Sequence, residues 1–357
     1  MKISSWQLLL LLFLSRVFTT ITFLSLDLKE SAEMIIPFMA SVIVELVLFV
    51  PAMLLYKKYP KENVVTAALK VNKVLGITLI CIYGLFLVFM IFRTVRFFLY
   101  FFETAFPNLI PVVLVGAMLL AVSVYVAYLG IEAVARSAAV VFALFIVMLL
   151  IVIPATASDF EMANYYTMPT SANSLFQGIV DGVSRSDEMV ILVLITPYIK
   201  DKLSRAVYGF LGLKLVFIEG IIICCMLLLG GYMSASPFSF FTMCRYANTA
   251  FIERLDAVYL VVWSLMGIVK LSLYSIALIP ALGNAVLNKK NKFIISLLPF
   301  IIGGIPALLF AYRDQMIIPF IDTTIAFYAI AALGFLVPLI VYIARRFKRE
   351  KDQPYNS

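Results

Sequence analysis

The residues whose types and spacing could do chemistry lie in one stretch, Ser171 to Lys200, SANSLFQGIVDGVSRSDEMVILVLITPYIK. It is about long enough to cross a bilayer, yet Asp181, Arg185, Asp187 and Glu188 fall near its middle. Hydrocarbon penalises such a charge by about 3 kcal/mol unless it pairs or lines a cavity. The apolar halves, Ser174 to Val180 and Met189 to Ile199, therefore read as two helices with a break between them. A broken helix presents free N–H groups at the start of its second half and free C=O groups at the end of its first, which suits the carboxylate and ammonium of a zwitterion. On that reading Gly182, Val183 and Ser184 give main-chain contacts to a ligand, and Ser184 or Ser186 caps the second half.

Other polar residues interrupt apolar runs. Near the N-terminus Ser15 and Arg16 are followed by Phe18, Thr19, Thr20 and Thr22. Arg16 is expected to face Asp187 or Glu188, as a structural pair or as part of a ligand cavity, and Arg16 or Arg185 is the candidate to recruit a carboxylate. Phe86, Phe89, Arg93 and Arg96 share one span; Arg96 is expected to snorkel to the outer interface, with Arg93 a turn deeper. Lys270 sits mid-span and needs an aqueous path or an acid such as Glu45 or Glu219. Lys214 is expected to snorkel, and Glu219 lacks a local partner. The candidate ligand-binding set is Ser15, Arg16, Phe18, Thr19, Phe89, Arg93, Asp181, Gly182, Val183, Ser184, Arg185 and Glu188, with Lys270 and Glu219 as ion-substituting or gating groups.

Soluble-enzyme chemistry has little to stand on. The 357 residues contain no histidine, and Cys81, Cys224, Cys225 and Cys244 lack metal-ligand spacing. No nucleophile–base pair or glycine-rich phosphate loop occurs, so no catalytic residue, metal or cofactor is expected. With 64% hydrophobic and 13% charged residues, and a mean hydropathy of +1.06, this is a polytopic, all-α membrane protein. The net charge of +8 sits in short connectors between apolar runs, which is a membrane-topology signal and argues against a nucleic-acid partner.

Ten candidate spans follow from cutting at charged and Pro/Gly-rich connectors: Trp6 to Leu26, Met34 to Tyr56, Val74 to Phe102, Ile110 to Leu129, Ala138 to Ala157, Ala172 to Ile199, Ala206 to Gly231, Ala257 to Pro280, Phe293 to Tyr312 and Met316 to Ile343. The N-terminal run lacks a small-x-small cleavage site and reads as the first span. Alternate connectors hold Lys57, Lys58, Lys61, Lys70 and Lys73, then Arg136, then Lys200, Lys202 and Arg205, then Lys289, Lys290 and Lys292, and the tail adds Arg345, Arg346, Lys348, Arg349 and Lys351. Both termini are therefore expected in the cytoplasm. Ten spans divide five and five, the parity an inverted repeat needs.

Particular motifs extend this reading. GIEAVARSAAV, Gly130 to Val140, is a short turn with Glu132 and Arg136 at i, i+4 spacing. FIERLDAVYLVVW, Phe251 to Trp263, precedes Lys270 and Tyr274, and the sixth span carries Gly178, Glu188 and Pro197. Together these resemble the B subunits of spore-germination nutrient receptors, the endospore germination permease family within the amino acid, polyamine and organocation superfamily. Asp256 replaces the family's glutamate, and SRVFTT stands where the family usually has glycines in an unwound first span.

The resemblance implies a single transmembrane domain over 1–357 with a LeuT-like fold. It has two inverted five-helix repeats at about 5–157 and 172–343, broken first and sixth helices, and a basic cytoplasmic tail at 344–357. It implies recognition of a nutrient germinant, often an amino acid, in the inner spore membrane, together with an A-type subunit and a lipoprotein C-type subunit. The alternative within the superfamily is an amino-acid permease working by alternating access. It further implies that Lys270 stands where related transporters bind sodium, as a fixed cation, and that residues 231–249 have the position of an outer lid, the alternative being an interfacial loop with an aromatic belt.

Overall fold

The computed structural model describes residues 2–22, 35–107, 111–165, 171–247, 255–281, 289–311 and 323–351. They are nearly all helical, as hydrocarbon demands, because a helix satisfies its backbone N–H and C=O groups within itself. In chain order the helices are α1 (Ser5–Thr22), α2 (Ile35–Leu48), α3 (Val50–Lys58), α4 (Val64–Val71), α5 (Lys73–Ala105), α6 (Val112–Leu129) and α7 (Ile131–Thr156). There follow α8 (Ala172–Ser184), α9 (Glu188–Ile195), α10 (Leu203–Leu229), α11 (Tyr232–Ala235), α12 (Ser239–Tyr246), α13 (Leu255–Ala281), α14 (Lys289–Pro299), α15 (Ile305–Leu309), α16 (Thr323–Ala331) and α17 (Val337–Lys351).

Among the described residues, eight helical segments are long and apolar enough to cross a membrane. Two of the ten expected spans fall short for local reasons. Residues 172–199 divide into α8 and α9, and Phe293–Leu309 is a shorter apolar helix with a π-helical turn at Phe300–Gly304. Two long helices form the centre of the molecule: 83% of the most apolar stretch of α1 and of α13 is buried, against 33–50% for the other six. The lipid-facing sides of those six carry the exposed Leu, Ile, Val and Phe expected of a membrane surface.

The expected break in the first span does not occur within Ser5–Thr22, which is one continuous helix. Its threonines turn back on their own helix: Thr19 Oγ1 donates to the Ser15 carbonyl at 3.4 Å, and the Thr22 hydroxyl donates to the Phe18 carbonyl. Polar side chains that bond one turn back satisfy themselves without unwinding, and SRVFTT has no glycine to lower the cost of an opening.

The sixth span is broken, three residues later than its polar run suggested. Helix α8 continues through Asp181, Gly182 and Val183 to Ser184, whose hydroxyl bonds back to the Asp181 carbonyl at 2.7 Å. Arg185, Ser186 and Asp187 form the break and α9 starts at Glu188 without a side-chain cap, so neither serine takes the capping role. Gly178 and Gly182 seat α8 on α2. A Cβ on Gly178 would lie 2.3 Å from Pro37 Cβ, and one on Gly182 would lie 2.5 Å from Ser41. That i, i+4 glycine pair is the small-residue contact that lets membrane helices approach closely.

Basic connectors gather at one end. The Lys2 N–H donates to Glu132 at 2.9 Å, and Ile3 forms a two-bond main-chain bridge with Tyr198 and Lys200 at 2.8 and 3.0 Å. Arg345 lies 3.7 Å from Glu62 and Lys348 bonds the carbonyls of Lys70 and Val71 at 3.0 Å. Gly130, at φ 95°, is the whole turn between α6 and α7, so helix begins directly at Ile131 and places Glu132 in its first turn.

Candidate ligand site at the broken span

Beside the break, α1, α5 and α13 line a cavity of about 10 Å³, room for roughly one water molecule. Helix α1 contributes Phe18, Thr19 and Thr22, and α5 contributes Met90, Arg93, Thr94 and Phe97. Asp187 from the break and Lys270 and Tyr274 from α13 complete it. The i, i+3 and i, i+4 spacings on each helix put these groups on one face.

Lys270 is held by three kinds of oxygen. Its ammonium donates to Asp187 Oδ1 at 3.0 Å, to the Ser15 carbonyl at 3.0 Å and to Thr19 Oγ1 at 2.6 Å. Glu188 lies 3.8 Å away, and neither of its carboxylate oxygens has a hydrogen-bond partner among the described residues. Tyr274 donates to the other Asp187 oxygen at 2.7 Å. Arg93 differs from every other cation near the break. It is 8% exposed, its guanidinium lies 5.1 Å from the Phe97 ring, and it makes no ion pair or hydrogen bond with a described residue.

A second buried cluster lies across the break. Glu45 Oε1 accepts from Lys214 and from the Ser186 hydroxyl, each at 2.5 Å, and Arg16 approaches to 3.9 Å. Arg16 also donates to the Gly182 carbonyl at 2.8 Å and to Ser186 at 3.1 Å, so it satisfies an acceptor freed where α8 ends. Above the cavity Trp263 is stacked between Phe18 and Phe98, at centroid distances of 5.2 and 4.8 Å. Its Nε1 donates to Thr22 Oγ1 at 2.7 Å, and Phe101 and Tyr259 flank it.

Against known families, residues 2–317 match the family described as spore germination protein, which is of permease type. The chain belongs to that family. A search of curated proteins found no match. Membership places this germination protein in the bilayer as a multi-pass permease-type molecule, a transporter or receptor rather than an enzyme.

The germination protein's candidate residues divide by position. Phe18, Thr19, Arg93 and Lys270 line the cavity, with Ser15 reaching it through its carbonyl. Arg16, Gly182 and Val183 belong to the packing around the second cluster, and Ser184 closes α8. Arg185 pairs with Asp181 one turn back, at 3.0 Å. Phe89 lies on the outward side of α5, 39% exposed, because it is one residue off the face that carries Met90, Arg93 and Phe97. Glu219 is buried on α10, and its oxygens have no partner among the described residues.

The expected ion pairs are rearranged. Arg16 takes Glu45 instead of Asp187 or Glu188, and Lys270 takes Asp187 instead of Glu45 or Glu219. Lys214 and Arg96 do not snorkel: they are 0% and 1% exposed, because Glu45 and the Ala311 carbonyl offer acceptors inside the bundle. Sequence reasoning missed Met90, Thr94, Phe97 and Tyr274 as cavity residues, and it noted Thr22 and Asp187 without placing them in the ligand-binding set. Tyr274 follows Lys270 by four and Thr94 adjoins Arg93, which is the helical-face signal for both. Of the Phe251 to Trp263 block, residues 251–254 lie outside the described residues, as do 248–249 of the expected lid and 352–357 of the tail.

Proposed function

We propose that this germination protein is the nutrient-recognition subunit of a spore germination receptor, binding a small zwitterion such as an amino acid at the broken sixth span. One observation carries the reading: Arg93, a buried guanidinium with no acid of its own, faces a small cavity that Asp187 also lines. A free guanidinium in a low-dielectric site is suited to a carboxylate, which it can hold with two parallel hydrogen bonds. Asp187, shared between Lys270 and Tyr274, is the counterpart for an ammonium. Ser15, Phe18 and Thr19 form the α1 wall. Gly182, Val183 and Ser184 hold the break in register, with Arg16, Asp181, Arg185 and Glu188 as its buried charges. Phe89 keeps a ligand-binding role, and Glu219 a gating role, only if the helices bearing them turn. Entry of any ligand requires the walls of so small a cavity to part.

Lys270 takes the part of a bound ion. A main-chain carbonyl, a threonine hydroxyl and a carboxylate around one ammonium are the oxygen ligands a sodium ion takes, so binding is independent of sodium. The wider arrangement is a single domain of two inverted five-helix repeats, 5–157 and 172–343, with both termini and the basic tail in the cytoplasm. The partners are an A-type subunit and a lipoprotein C-type subunit. The clustering of Lys2, Arg136, Lys200 and Lys348 contacts at one end supports that orientation. The permease reading is favoured by a different observation: packed aromatic rings, Phe18, Trp263 and Phe98, lie on one side of the cavity and the Ile3 bridge ties α1 to the chain beyond α9, contacts that alternating access would break and remake.

The test is Arg93→Gln in the chromosome of the sporulating cell, assayed across a panel of amino acids and sugars beside spores lacking the gene. The variant is expected to reach the membrane at normal level and to lose the same responses as the deletion. Normal responses in the variant would sink the assignment.

A further inference from the structure

A second cavity, sharing no residue with the first, lies at the level where two spans meet the aqueous boundary. Its volume is about 550 Å³, and it opens between the end of the second span and the start of the seventh. Val50, Leu54 and Lys57 line one wall at i, i+4 and i+7, a single helical face. Lys202, Leu203 and Tyr208 line the other. The polarity of the groove is ordered along its length. Val50, Leu54 and Tyr208, one to two turns inside the span ends, are 40%, 37% and 57% exposed on the flank that faces lipid. Lys57 stands at the last turn of α3 and Lys202 just precedes α10, so both ammonium groups lie at the mouth.

Both lysines are exposed, and neither ammonium has a hydrogen bond or ion pair with a described residue. The nearest acid in sequence, Asp201, is engaged by other groups: its carboxylate accepts the Ser5 N–H at 3.1 Å, and its carbonyl accepts from Tyr56, which lines the groove, at 2.7 Å. Lys58, the neighbouring cation, lies over the Tyr59 and Tyr342 rings at 5.9 and 5.8 Å and does not share the mouth. The groove thus offers two unpaired positive charges at the boundary and a lipid-exposed apolar wall beneath them.

We propose that this groove binds an anionic phospholipid, with the phosphodiester between Lys57 and Lys202 and an acyl chain along Val50, Leu54 and Tyr208. The charge of the mouth and the depth ordering of the walls match one amphiphile, and a soluble anion would leave the apolar wall unused. Pairs of basic side chains at a span boundary are where such headgroups are held. The lipid bridges α3 and α10; α2, which runs into α3, carries Glu45 and α10 itself carries Lys214, so headgroup occupancy fixes the spacing of the two helices that share that ion pair.

The experiment uses the purified full chain in detergent with equimolar phosphatidylglycerol and phosphatidylcholine, read by native mass spectrometry. The wild type is expected to retain phosphatidylglycerol in preference. The Lys57→Gln/Lys202→Gln double variant is expected to retain about 30-fold less, and both positions are exposed, so folding is preserved. Leu54→Trp keeps both lysines, fills the groove, and is expected to lose the lipid as well. Equal retention by the double variant overturns the proposal. Retention by Leu54→Trp also overturns it, because the lysines would then be acting as a plain charged surface. Displacement of the lipid by millimolar inorganic phosphate would assign the site to a free anion and overturn it too.

Discussion

Glu45 is the most exacting place to test the buried electrostatics. Its Oε1 serves Lys214, Ser186 and, at longer range, Arg16, and all of these are at most 1% exposed. Replacing it with leucine strands two cations at once. Breaking a buried pair from one side costs about 3–5 kcal/mol, because the remaining charge stays desolvated. The reverse change is milder. Lys214→Met leaves Glu45 with Ser186 and Arg16, so the loss is that of one charge-assisted hydrogen bond, about 1.5–3 kcal/mol. The double variant Glu45→Leu/Lys214→Met removes the stranded ammonium and is expected to be more stable than Glu45→Leu alone, although Arg16 still lacks its acid. Denaturant unfolding in mixed micelles measures all three, with fluorescence from fully buried Trp263 as the reporter. Equal losses for Glu45→Leu and the double variant, or a Lys214→Met loss exceeding that of Glu45→Leu, would refute the account.

Three further outcomes follow from the same contacts. Gly182→Ala places a methyl group 2.5 Å from Ser41, so it is expected to cost about 1–3 kcal/mol in the same unfolding assay, and Ser41→Gly in that background is expected to recover most of it. Germination is expected to be unchanged when sodium is replaced by choline, because Lys270 already fills the oxygen nest; a strong sodium requirement would remove the fixed-cation reading. Lys270→Met is expected to abolish the response, since Asp187 then loses its ammonium while Tyr274 alone remains; a full response in spores that carry the variant at normal level would contradict this.

The helical membrane fold was legible because apolar runs of spanning length admit few structures. The broken sixth span was legible for a related reason: four charges in hydrocarbon leave a chain little choice but to break and pair. The continuous first helix was not. A threonine hydroxyl reads as polar in sequence whether it opens a helix or bonds its own backbone, and Thr19 and Thr22 do the latter. Pairing was the least legible part. Lys214 and Glu45 are 169 residues apart and Lys270 and Asp187 are 83 apart, and nothing in the local pattern of either says which helix will face it. Snorkelling was inferred for Lys214 and Arg96 from position along the span, while burial was decided by acceptors on other helices.

Ser186 and Asp187 are consecutive, yet they anchor different clusters: Ser186 bonds Glu45 and Arg16, and Asp187 bonds Lys270 and Tyr274. One peptide plane therefore joins the two sets of charges. The Ser186 hydroxyl meets the same Glu45 oxygen that Lys214 grips from α10. On the proposed reading, the break is thus a shared hinge-pin: a change in what Asp187 bonds lies one peptide plane from the hydroxyl that meets Glu45 of α2 and, through it, Lys214 of α10.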